Sequence, residues 1–378
     1  MKKLAVLIGL CLIAAGEYKA VHLQVTQAEL ESEFPSLSWN GAEMGVAWMD
    51  GRDGNQEIYF RLADMDNLRL GSELRLTYSW TFDDHPKLCW TGSEFGMSFI
   101  HESRIKSDLM FQRLSREGKP LGQPQAIVRQ IMLGKDTAIF WTGVGYGIVS
   151  TEFPASPAQG DLVYRFLDEN GKVLGAPMTV AGGPGIKVPG SLCRSGSDFT
   201  LFYLEAGSRT ASLLKLDPMG TPKGPAVRLN LAGSQAELPI AAFNGKTFMV
   251  TWTQTAASGR QVMVLPLTAD GKPLSDPFPI TTPGADRPFS AIAAGPDGFG
   301  IAWTEIGAEG RMLFFGNLSE EGKLKAPAFR LSRPRPVQVV CHRLEVCPDS
   351  KGYVIAWVDI SSATNSEIIL SRVEFSKD

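Results

Sequence analysis

Pro35-Ser-Leu-Ser-Trp39-Asn-Gly41, followed by Gly45-Val-Ala-Trp48-Met-Asp50, returns 51 residues later as Pro86-Lys-Leu-Cys-Trp90-Thr-Gly92 and Gly96-Met-Ser-Phe99-Ile-His101. The frame recurs at Trp141-Thr-Gly143 with Gly147 to Glu152, at Arg194-Ser-Gly196 with Thr200 to Glu205, and at Phe243-Asn-Gly245 with Met249 to Gln254. Gly300 to Glu305 and Val354 to Asp359 bring the copies to seven. A fixed period of about fifty residues marks a repeat architecture and governs how every other feature is read.

Each copy has a second half of the form Leu114-Ser-Arg-Glu-Gly118-Lys-Pro-Leu121-Gly122, with counterparts at 168–174, 217–223, 269–274 and 319–324. Glycine supplies the positive φ that such a tight turn requires. Runs that alternate with a period of two, such as Glu57-Ile-Tyr-Phe-Arg-Leu62 and Asp161-Leu-Val-Tyr-Arg-Phe166, read as half-buried strands. Four short strands per fifty residues is one blade of a β-propeller. The expected fold is therefore all-β, a seven-bladed propeller of four-stranded antiparallel blades, with repeats starting near 35, 86, 137, 189, 239, 288 and 344. Copy seven stops after its third strand, Glu367 to Phe375, while Leu23-Gln-Val-Thr26 matches Leu74-Arg-Leu-Thr77, the outermost strand of copy one. The N-terminal strand is expected to complete the last blade and hide its edge.

Composition agrees with this reading. The 378 residues are 44% hydrophobic and 20% charged, with 39 Gly and 24 Pro distributed among many turns. Such a chain can bury a core, which excludes global disorder. The net charge of −3 and the lack of a basic cluster argue against a nucleic-acid surface. Residues 1–16 place Lys2 and Lys3 before an apolar stretch from Leu4 to Ala15, the layout of a secretory signal peptide. Cleavage after Gly16 would leave 17–378 as a single propeller domain; cleavage after Ala20 and an uncleaved anchor are the other readings. The expected location is periplasmic or extracellular.

The string Trp48-Met-Asp50-Gly-Arg52-Asp-Gly54-Asn55-Gln-Glu57-Ile58-Tyr59 resembles a repeat of bacterial and archaeal secreted or surface propellers, in which Trp-x-Asp-x-Arg precedes Gly-Asn-x-Asp-Ile-Tyr. Glu57 stands in place of the Asp, and the sharp string occurs only in copy one. The resemblance implies a fold and a location more than an activity. WD40, kelch and sialidase Asp-box signatures are absent from the sequence.

Seven of the eight tryptophans fall in register: Trp39, Trp90 and Trp141 at one place, and Trp48, Trp252, Trp303 and Trp357 at another, where Phe99 and Tyr203 also stand. These are expected to pack the blades. Trp80 fits neither place. It lies with Tyr78 and Phe82 in the connection from blade one to blade two, on the face expected to carry Asp50, Arg52 and Asp53 of blade one. Asp83, Asp84, His85, His101, Glu102 and Arg104 are expected there as well. Aromatic surface beside carboxylates and a guanidinium suits a sugar or a peptide. The candidate ligand site is accordingly Asp50, Arg52, Asp53, Trp80, Asp84, His85, His101, Glu102 and Arg104.

A catalytic alternative rests on two polar rings. Asp50, His101, Glu152, Glu205, Gln254, Glu305 and Asp359 end the second strands, and Glu33, Asp84, Lys135, Lys187, Glu237, Asp286 and His342 precede the first. Two such carboxylates roughly 5 to 9.5 Å apart could serve a glycoside hydrolase or lyase. Blade spacings near fifty leave few residues for the insertions that catalytic loops use, and no Ser-His-Asp set, His-Glu-x-x-His motif or phosphate loop is present. A non-catalytic module binding a protein or glycan is the preferred reading, monomeric and without cofactor or metal. Cys89, Cys193, Cys341 and Cys347 are expected to be buried thiols without a bridge. Cys341 and Cys347 flank an extended strand about 20 Å long, too far apart to bond.

Overall fold

A computed structural model describes residues 18–27, 29–102, 107–131, 133–257, 259–295, 298–308, 310–332, 345–362 and 365–375. Among them there is no helix, and the strands form seven antiparallel sheets. The innermost strands run Ser32–Trp39, Phe82–Trp90, Leu133–Trp141, Lys187–Ser195, Ile240–Phe243, Ser290–Gly295 and Glu345–Pro348, one per blade. Each pairs with the second strand of its own blade. Neighbouring innermost strands contact one another in sequence, and the ring closes between Ser32–Trp39 and Glu345–Pro348. Blade one departs slightly from four strands: its outer edge is split into Arg69–Leu70 and Leu74–Arg75, both paired to Glu57–Asp64.

Closure follows the expected plan. Tyr18–Gln24 pairs antiparallel with Asn365–Phe375, Leu23 opposite Leu370 and Gln24 opposite Ile369, and the amide of Val25 continues the ladder to Ile368. The match of Leu23-Gln-Val-Thr26 to Leu74-Arg-Leu-Thr77 extends to function. Thr26 Oγ1 accepts the Ile368 amide at 2.9 Å and donates to Glu367, as Thr77 Oγ1 accepts the Ile58 amide at 2.9 Å and donates to Glu57. Asn230, Thr281 and Ser332 receive third-strand amides in the same way in blades four, five and six.

Hydrophobic clusters fill the seams between blades. Trp48, Phe99, Tyr203, Trp252, Trp303 and Trp357 are all buried, as their register requires. Trp39, Trp90 and Trp141 are only half-buried, packed against the edges of the clusters, with Trp90 on Phe95 at 4.7 Å and Trp141 on Tyr146 at 4.9 Å. The repeated turn glycine has a packing role beyond its φ. Gly118 (φ 83°) and Gly171 (φ 86°) lie flat on Phe60 and Phe111 of the preceding blade, where a Cβ would come within 2.1 and 2.6 Å of the ring. The turn glycine thus sets the spacing between blades.

Cys89, Cys193 and Cys347 are free thiols. Each residue is half-buried overall, less enclosed than expected, yet burial of the thiol pushes its pKa up to about 12. Residues 1–17, including the stretch read as a signal peptide, and Arg104, Cys341 and His342 lie outside the described residues. Among the described residues no helix is long and apolar enough to cross a membrane.

Candidate functional site

The turn at 51–56 and the connection at 76–81 lie against each other on one face. Asn55 Nδ2 donates to the carbonyls of Ser79 and Thr81, both at 2.8 Å, and the carbonyl of Gln56 accepts the Asp83 amide at 2.9 Å. Glu57, fully buried, accepts the Ser79 amide at 2.8 Å along with Asn55 Nδ2, Thr77 Oγ1 and Arg75. The connection is therefore pinned from below by polar groups. Its outward side chains are aromatic: Trp80 is fully exposed, Tyr78 is 76% exposed and Phe82 is 49% exposed. This inverts the usual pattern of an exposed connection, whose polar groups face water.

The charges predicted around Trp80 do share this region, but most serve the protein itself. Asp50 is fully buried; it accepts from Ser32 Oγ at 3.0 Å, Trp48 Nε1 at 2.8 Å, and Arg52 through its amide and two side-chain nitrogens. Arg52 also pairs with Glu73 and stacks over Tyr59 at 4.7 Å. Asp53 accepts from Tyr59 and lies 3.1 Å from Arg75, which in turn stacks over the Tyr78 ring at 4.6 Å. The carboxylates of Asp50, Asp53 and Glu57 are thus all engaged by donors of the protein itself.

Blade two forms a second cluster. Asp83 accepts from His101 Nδ1 at 2.7 Å, and burial raises its pKa by more than His101 lowers it. Asp84 is held by Lys135 at 2.9 Å and lies 3.1 Å from His85 Nδ1; burial acts to raise its pKa, but His85 and Lys135 together hold it below the usual carboxylate range. Lys135 also pairs with Glu102 at 3.0 Å. His85 is buried and stacks on Phe34 at 3.9 Å. Both residues precede a proline at a bulge and adopt left-handed φ, 52° and 53°, a conformation costly for side chains of this size.

Of the nine predicted residues, Trp80 is the one that presents itself freely to solvent; Asp50, Asp84 and His85 are buried, and Arg52, Asp53, His101 and Glu102 sit within ion-pair networks. Arg104 lies outside the described residues. Sequence reasoning missed Tyr59, Arg61, Glu73 and Arg75. Their signal is the alternation of the third strand, which puts Tyr59 and Arg61 on one face, with Arg75 in register opposite Tyr59.

Several members of the polar rings are likewise engaged within the protein. Glu152 is paired with Arg165, Glu237 with Arg209, Glu305 with Arg287 at 2.9 Å, and Asp286 takes a two-pronged contact from Arg260 at 2.7 Å and 2.7 Å. Lys187 donates to the carbonyls of Pro184 at 3.0 Å and Gly185 at 3.3 Å.

The fold defines the class: this chain is a seven-bladed β-propeller closed by its N-terminal strand. It is similar to a protein of unknown function from Dyadobacter fermentans, with a TM-score of 0.58 and 12% identity over 95% of this chain and 100% of that one. A Pyrococcus horikoshii acylaminoacyl peptidase is similar at a TM-score of 0.56 and 9% identity over 92% of this chain, which spans about half (52%) of the peptidase. The propeller domain of the Trilobed protease from Pyrococcus furiosus, described as having an open velcro topology, gives 0.51 and 8% identity over 93% of this chain and 97% of that one. At these identities the likeness is one of fold. No protein-family model matches the chain, and no curated protein matches its sequence.

Proposed function

We propose that the protein is an exported, non-catalytic binding propeller that recognises a protein or glycan partner through the face built by the inter-blade connections and the turns between second and third strands. The observation that carries this reading is the aromatic triplet Tyr78, Trp80 and Phe82, outward on a connection whose backbone is fixed by buried Glu57 and by Asn55. Aromatic side chains have only two rotatable torsions and a large apolar surface, so covering them on a fixed backbone gains much buried area for little side-chain entropy. Export is supported by the leader-like N-terminus and by the resemblance of the blade-one string to secreted propellers.

A non-catalytic role is supported by the pairing of ring carboxylates with arginines. A glycosidase acid or nucleophile must be free to face the substrate. Glu152, Glu237, Asp286 and Glu305 are instead committed to ion pairs. The test is a glycan array and a peptide library probed with the protein and with Trp80→Ala. The reading requires a ligand that the variant loses; a ligand retained equally by both places recognition elsewhere, and turnover of a bound glycan overturns the non-catalytic role.

A further inference from the structure

The aromatic connection has a charged counterpart on the same face. The turn at 51–56 lies between two connections: the Gly51 amide donates to the Glu31 carbonyl at 2.9 Å on one side, and Asn55 Nδ2 donates to the Ser79 and Thr81 carbonyls on the other. The first of these connections carries Glu29, Leu30 and Glu31, all exposed, and leads into half-buried Glu33. The side chains of Glu29, Glu31 and Glu33 make no hydrogen bond or ion pair with a described residue. Their counterparts differ: Asp84, Glu237 and Asp286, at the place of Glu33 in blades two, five and six, are each held by a lysine or an arginine. Burial, reinforced by Glu31, raises the Glu33 pKa, as it does for a carboxylate without a counter-charge. The described cations of this face cannot supply one, since Arg52, Arg75 and Lys135 are each already paired with two other carboxylates.

We propose that this face docks a basic segment of a partner protein, one that carries lysine or arginine beside apolar side chains. The proposal rests on the reading that Trp80 and its neighbours are the binding surface, and it specifies the charge of the partner. The rings of Tyr78, Trp80 and Phe82 take the apolar side chains, while Glu29, Glu31 and Glu33 take the cations on the other side of the 51–56 turn. Aromatic faces themselves accept ammonium and guanidinium groups, as Arg75 over the Tyr78 ring at 4.6 Å illustrates. An acidic partner would add to the repulsion between Glu31 and Glu33. A neutral glycan would cover the three carboxylates without giving them a counter-charge, at the cost of their hydration. An apolar patch flanked by unpaired charge of one sign selects its partner by complementarity and steers it in from a distance.

The test is a fluorescence titration of the full chain with the labelled peptide Lys-Leu-Lys-Phe-Lys-Leu-Lys. Companion peptides replace every lysine by glutamate, or the leucines and phenylalanine by serine, and chitosan oligomers serve as a cationic glycan. Saturable binding of the first peptide is expected, reduced by added salt, weakened at least tenfold by either replacement, and tighter than that of chitosan. Glu29→Gln, Glu31→Gln and Glu33→Gln, combined, should weaken it about tenfold and remove most of the salt dependence. Trp80→Ala should weaken it about tenfold and leave the salt dependence in place. The control for net charge is Glu117→Gln, Glu169→Gln and Glu321→Gln combined, in exposed turns between third and fourth strands at the opposite end of the blades, which should leave binding unchanged. The proposal is overturned if the basic peptide fails to saturate, if the acidic peptide or chitosan binds as tightly, or if the control variant loses as much binding as the first triple variant. A neutral glycan whose binding depends on Trp80 and not on the three glutamates would overturn it while the proposed function stands. If no ligand depends on Trp80, both fall.

Discussion

Thr26 Oγ1 accepts the amide of Ile368 at 2.9 Å, joining residues 342 positions apart. The bond reproduces, between the two ends of the chain, what Thr77 and Ile58 do within blade one. It makes the N-terminal strand an integral part of the last blade. Thr26→Val is expected to cost about 1–3 kcal/mol, read by urea unfolding.

Truncation tests the same closure more severely. Tyr18 is 3% exposed and stacks on Phe329 at 5.1 Å, and Ala20 is fully buried. A chain beginning at Glu17 keeps both; one beginning at Val21 loses them and with them about 2–4 kcal/mol of apolar burial. Thermal unfolding of the two chains should show a clearly lower midpoint for the shorter one. Equal midpoints would mean that the strand's first turn of ladder contributes nothing.

A charge pair strengthens the seam on the axial side. Lys87 of blade two meets Glu345 of blade seven, and Glu345 Oε2 also accepts the amide of Leu37 in blade one at 2.7 Å. Glu345 therefore holds three blades at once. Glu345→Ala should destabilise by about 1–3 kcal/mol, and Lys87→Met by less, because the carboxylate then keeps the Leu37 amide. A double-mutant cycle separates the pair from the backbone contact.

The turn glycines give a graded prediction. Gly118 and Gly122 have similar φ, 83° and 90°, but only at Gly118 would a Cβ strike a neighbour, the Phe60 ring. Gly122→Ala is expected to cost about 1 kcal/mol from strain alone. Gly118→Ala adds overpacking, for a total of about 2–4 kcal/mol. Denaturant midpoints at constant m-value decide between them.

Acid sensitivity has a definite sign. Asp84 is held below its ordinary value of 3.8 by His85 and Lys135 against the opposing effect of burial, so it stabilises the fold above that pH and ceases to as pH falls through the depressed value. Asp83 acts in reverse: burial raises its folded value, so its contribution is present at low pH and lost as pH rises through it. Lys135→Met should move the acid-unfolding midpoint to higher pH. An unchanged midpoint would show that Lys135 does not hold Asp84.

The ring was legible in the sequence because each blade repeats the same steric demands: a small residue at Gly45 and Gly96, a large one at Trp48 and Phe99, and a turn glycine that must lie on the previous blade. Even the closing strand could be read, since Thr26 carries the same duty as Thr77. Trp80 stood out for the opposite reason, as an aromatic residue that the repeat has no place for. The fate of the charges was not legible. Whether Asp50 faces a ligand or an arginine depends on Arg52 folding back onto it and on Glu73 arriving from the outer strand, contacts that no spacing encodes.

The most direct test of the binding account is to replace the exposed rings while leaving their support intact. Tyr78→Ala, Trp80→Ala and Phe82→Ala, combined in one protein, remove side chains that are largely exposed, so the unfolding midpoint should change little. Measured against the glycan or peptide ligand found by array screening, the account predicts loss of binding in the triple variant at unchanged stability. Binding retained at wild-type affinity by a folded triple variant would contradict it.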